Sequence, residues 1–193
     1  LWSLLESAQV VIQNLSPGAL ARAGFGYDAV RARVPGIVYC SISGFGASAS
    51  PRPAVDTIIQ AASGIMALVG NDARTREEML LKSGISVADL IAANLSALSI
   101  VTALTQRDNN GQGCHIDTSM LRALPWLTQL AWNAAPGDPM NASMVPCSDG
   151  YVYSPACDVA EKLAASARTA GMTRAQVVAE LAAAGLEATP VME

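Results

Sequence analysis

The stretch IVYCSISGFG (37–46) restricts the fold more than any other. Its apolar and β-branched residues run on without an alternating polar face and end at Gly44 and Gly46. A strand that is apolar on both sides must be covered on both faces. That requirement points to a parallel sheet held between helices rather than to a half-solvated antiparallel one. QVVIQN (9–14) and CHIDTSM (114–120) read as further short strands. Helical segments separate them: SLLESA (3–8), a turn over Ala19–Ala23 closed by Gly24 and Gly26, and Tyr27–Arg33 stopped at Pro35–Gly36. A helix over about 54–68 follows, then a long one over about 87–107. MLRALPWLTQLAWNAA (120–135) adds another, broken or kinked near Pro125. Strands alternating with helices predict an α/β fold, a doubly wound, mostly parallel sheet forming a Rossmann-like large domain over 1–137. After Pro136 a loop and hairpin (136–156) lead into alanine-rich helical segments, so 138–193 is expected to be part of a smaller α+β domain.

The totals agree with a packed protein. Of 193 residues 51% are hydrophobic and 15% charged, which excludes disorder and implies a sizeable core. The net charge of −4 carries no basic stripe, so no nucleic-acid partner is expected. Cys40, Cys114, Cys147 and Cys157 lie far apart with no CxxC pair, and His115 is the only histidine. No metal site is expected from that scatter, and a reduced, cytoplasmic chain fits it. The opening LWSLLESAQ has neither a basic n-region nor an initiator methionine; it reads as the interior of a longer protein, not as a signal peptide.

GISVADLIAANLSALSIVTAL (84–104) is nearly long enough to span a bilayer, but Asp89, Asn94, Ser96, Ser99 and Thr102 interrupt it. A core helix is the expectation, with no membrane partner. Asp89, near its head, has two readings. With Ser86 as N-cap, SVAD is a variant of the capping box and Asp89 is part of the cap. Alternatively, Asp89 is a nucleophilic carboxylate at a helix N-terminus, whose dipole favours the anion. Asp56 raises the same question in the first turn of the 54–68 helix. Arg22 borders Gly24 and Gly26 and reads locally as a solvated arginine, and His115 as a structural histidine within a strand.

VVIQNLSPGALARAGFGYDAV (10–30), IVYCSISGFG (37–46), AVDTIIQAASGIMALVG (54–70), KSGISVADLIAAN (82–94) and GQGCHIDTSML (111–121) follow one another in that order. Together they resemble the class III CoA-transferase family, which includes formyl-CoA transferases and α-methylacyl-CoA racemases. The resemblance implies a coenzyme A thioester as substrate, a carboxylic acid as acceptor, no tightly bound cofactor, and an interlocked homodimer. Asp89 stands where the family's catalytic aspartate stands. NLSPGALAR is similar to the family's NFRPG…R pattern, which carries Asn14, Leu15, Ser16 and Arg22 over as CoA contacts. Pro53, Ala54, Val55 and Asp56 match a second CoA-lining turn. Racemases of the family carry a histidine where this chain has Val55, so transfer is implied over racemisation. An acyl-CoA racemase or epimerase and a non-catalytic CoA-binding remnant are the alternatives. The resemblance also implies further chain ahead of Leu1 and within the second domain.

Overall fold

A computed structural model of the chain describes residues 1–46, 52, 54–69, 82–133, 143–154 and 168–191. Pro53, Cys157, the charged stretch GNDARTREEM (70–79) and most of the alanine-rich AEKLAASARTAG (160–171) lie outside those residues. The chain divides into two compact units, Leu1–Trp132 and Asn133–Glu193.

In the first unit, α1 (Trp2–Ser7) leads into β1 (Val10–Gln13), followed by α2 (Ala19–Arg22), α3 (Tyr27–Arg33) and β2 (Val38–Ser43). Then come α4 (Asp56–Ala62), α5 (Ile65–Val69), the long α6 (Val87–Asn110), β3 (His115–Ser119), α7 (Met120–Ala123) and α8 (Pro125–Asn133). The strands form a parallel sheet in the order β1-β2-β3, with Val10 opposite Val38 and Tyr39 opposite His115. β2 is buried on both sides, as its composition requires. Val38 and Cys40 pack with Ile100 and Ala103 of α6. Tyr39 turns the other way, into a cluster with Leu5 of α1 and Val30 of α3.

The helix expected over 54–68 is two. Gly64 (φ +78°) takes the left-handed conformation after Ser63, and the chain restarts at Ile65. α6 runs three residues beyond the expected end, to Asn110, and is buried on one face only; Leu90, Leu98 and Val101 point outward from it. A separate cluster of Ile59, Val87, Ala88, Ala92, Met120 and Leu124 fixes the start of α6 against α4 and α7. Leu124 is fully enclosed there. Leu124→Ala is expected to cost about 2–5 kcal/mol in urea unfolding, and a loss below about 1 kcal/mol would show that the cluster collapses around the gap.

In the second unit β4 (Ser143–Cys147) and β5 (Gly150–Ser154) form the expected antiparallel hairpin, extended by β6 (Thr189–Pro190). α9 (Arg174–Ala183) begins with a capping box between Thr173 and Gln176 and buries Val177 and Leu181 against Val145 and Val152.

Candidate functional site

α6 crosses the sheet in reverse. Its late residues Ile100 and Ala103 lie against Val38 and Cys40 near the strand beginnings, Ser96 donates to Thr118 Oγ1 at 2.9 Å, and Val87 to Ala92 cluster with Met120 just past β3. The N-terminus of α6 therefore emerges at the carboxyl edge of the strands, where ligands sit in sheets of this kind.

The candidate residues collect at that edge. Asn14, Leu15, Ser16 and Pro17, which follow β1, line a small cleft with Ser43 and Gly44 at the end of β2, and with Arg52 and Ala54. Asn14–Pro17 and Ser43–Gly44, 26 residues apart in the chain at their nearest, are thus brought together because β1 and β2 are neighbours. Gly44 and Ala54 pack tightly against each other: a Cβ on Gly44 would land on the Cβ of Ala54. Arg22 lies beside this cleft, not in its wall, and its Nη1 donates to the Pro17 carbonyl at 3.3 Å. Arg52, which no motif singles out, is in the wall, with its guanidinium over the Phe45 ring. Val55 is the exposed N-cap of α4.

Asp56 and Asp89 meet, and their roles divide. Ser86 occupies the N-cap position of α6, but its side chain makes no capping bond. The cap comes from Asp56, 32 residues before Ala88: its Oδ1 accepts from Ala88 N at 2.8 Å and from Asp89 N at 3.3 Å. Its Oδ2 accepts from Gln60 Nε2 at 2.5 Å. Asp56 is only 8% exposed, so its carboxylate is committed to protein groups. Asp89, one residue into the helix from Ala88, is exposed, and among the described residues no group donates to its carboxylate. Partial burial first, and the Asp56 charge second, push the Asp89 acid above its ordinary value.

His115 is elsewhere. It stacks on Tyr27 with ring centroids 4.8 Å apart, and its Nε2 lies 2.9 Å from Ser41 Oγ. Those residues line a second cleft, which shares Leu15, Pro17 and Ser43 with the first. Among the described residues no group of histidines, cysteines and acids is arranged to hold a metal ion. Gln60, fully buried, carried no sequence signal of its own; the one available was its place one helical turn after Asp56.

Residues 1–180 match the family described as CoA-transferase family III. The chain belongs to that family. It is 32% identical over 182 residues to the acetyl-CoA:oxalate CoA-transferase of Acetobacter aceti, covering 81% of this chain and 46% of the relative. To the succinyl-CoA:mesaconate CoA-transferase of Haloarcula hispanica it is 35% identical over 127 residues, 61% of this chain and 30% of the relative. Among solved structures, a CAIB/BAIF family protein from Brucella suis superposes on the whole of this chain with a TM-score of 0.75 at 26% identity, the match taking in 62% of that protein. This family III chain spans less than half the length of these two curated relatives.

Proposed function

We propose that the protein moves coenzyme A from an acyl-CoA thioester to a free carboxylate, with Asp89 as the nucleophile. The observation that carries this reading is the division of labour at the head of α6. Asp56 satisfies the helix amides, so among the described residues the Asp89 carboxylate, at the carboxyl edge of the sheet, is left without a donor. An acid that served as the cap would be blocked by its own hydrogen bonds.

The reaction needs a group that can both attack and leave. The Asp89 carboxylate attacks the thioester carbonyl and expels the CoA thiolate, giving a mixed anhydride. The thiolate then attacks the Asp89 carbonyl carbon, releasing the donor acid and leaving an aspartyl-CoA thioester. The acceptor carboxylate displaces the thiolate from that thioester to form a second anhydride, and the thiolate attacks the acceptor's acyl carbon. New acyl-CoA leaves and Asp89 is regenerated; no proton or electron is consumed. Asn14, Leu15, Ser16, Ala54 and Arg52 form the wall for the CoA chain, and Arg22 stands at its rim for a phosphate. The relatives' printed activities, each a transfer of CoA to a carboxylic acid, support the same chemistry for this protein. Exposed Leu90, Leu98 and Val101 on α6 support assembly as a homodimer.

Mass spectrometry after incubation with an acyl-CoA tests the reading. A peptide containing Asp89 is expected to carry CoA or, after hydroxylamine treatment, a hydroxamate. A protein that binds the thioester and never labels Asp89 would be a CoA-binding remnant, and the proposal would fail.

A further inference from the structure

We infer that Asp56 and Gln60 form a clamp that positions Asp89, an inference that rests on the nucleophile reading above. The two side chains project from one face of α4, a turn apart, and are both buried. Between them they bond to the turn just ahead of α6 and to its first amides. Gln60 Oε1 accepts from Ser83 N at 3.0 Å, and its Nε2 donates to the Ile85 carbonyl at 3.2 Å as well as to Asp56. Asp56 then takes the Ala88 and Asp89 amides. Ser83, Ile85, Ala88 and Asp89 are thereby fixed by one hydrogen-bonded pair from another helix.

The clamp does two things to Asp89. It removes the local alternative, in which Ser86 and Asp89 would cap each other and turn the carboxylate back onto the backbone. It also places a second carboxylate beside the first, at a helix end that favours negative charge. Other titratable groups stand on the elements around α6: Tyr39 and Cys40 on β2, His115 and Asp117 on β3, Arg122 on α7, and Lys82 just ahead of the clamped turn. Of these and Asp56, Asp56 is the one whose charge raises the Asp89 acid.

Asp56→Asn tests the clamp, since it keeps an oxygen for the Ala88 amide while turning an amide toward Gln60 and deleting the charge. Should that variant not fold, Asp56→Ser, a shorter but still capable acceptor, takes its place. In protein labelled at the aspartate carboxyl carbons, with Asp89→Asn to assign the signal, Asp89 is expected to titrate at lower pH in the variant than in the parent. Turnover is expected to fall about 100-fold because the nucleophile is misplaced, with KM for acyl-CoA changed less than about threefold. A folded variant whose Asp89 titrates as in the parent would overturn the clamp, as would one that loses only KM. The titration needs no turnover, so it decides the clamp even if the parent never labels at Asp89. That result would instead defeat the transfer reading alone.

Discussion

Asp89→Asn is expected to abolish CoA transfer, lowering the rate by about three orders of magnitude or more, while raising thermal stability. The two outcomes have one cause. In the folded chain the Asp89 acid is pushed up by partial burial and by Asp56, so its charged form is less welcome there than in the unfolded chain. The sign follows directly. Above the folded value the charge works against folding. The penalty shrinks as pH falls through the raised range and is gone below the ordinary aspartate value of about 4. A neutral amide of the same shape removes that penalty at neutral pH and keeps the fold. A nucleophile that must be ionised also predicts that turnover in the parent falls on the acid side, with a midpoint above that of an ordinary aspartate. Thermal scans and initial rates on the same preparations check both halves. If Asp89→Asn keeps activity within about tenfold of the parent, Asp89 is not the nucleophile. If it melts lower instead, Asp89 is structural.

Much of the large unit was legible in the chain, and the reason is visible in β2. Its two-sided apolar character demands cover on both faces, and α6 and the α1–α3 side supply it. Val87 and Gly111 bound α6 within a few residues of the expected limits because Ser86 and Gly111 are ordinary helix-end residues. Ser63 and Gly64 are harder to read: apolar residues on either side continue the helical pattern, and the break comes from the positive φ of Gly64. The largest error of local pattern was at the head of α6. SVAD has the form of a self-contained cap, and nothing near Ser86 reveals that the amides of Ala88 and Asp89 are taken by a residue 32 positions away. The resemblance implies that Asp56 belongs to a CoA-lining turn, and the local pattern does not show its second task. Asp56 lies two residues after Ala54, which lines the cleft, and its carboxylate faces the helix. Long-range hydrogen bonds decide such sites, and local periodicity carries no trace of them.

The junction between the cleft and the clamp gives the other large effect. Gly44 closes β2, and its carbonyl accepts from Leu121 N at 2.9 Å and from Ser119 Oγ at 3.3 Å, so its backbone cannot drift away from α7. A methyl added there collides with the Ala54 Cβ and lies 3.2 Å from Ile59 Cδ1. Ala54 is two residues before Asp56, so relief must come from moving the start of α4, and with it the carboxylate that caps α6. Gly44→Ala is therefore expected to cost about 1–3 kcal/mol in urea unfolding and to reduce turnover as well. The source of the clash supplies its own control. Ala54→Gly removes the atom that the new methyl meets, so the double variant Gly44→Ala/Ala54→Gly is expected to be more stable than Gly44→Ala alone. The coupling between the two sites should be about 1 kcal/mol or more. Additive losses would mean that Gly44 and Ala54 do not touch as described, and that the end of β2 does not fix the start of α4, from which Asp56 reaches Asp89.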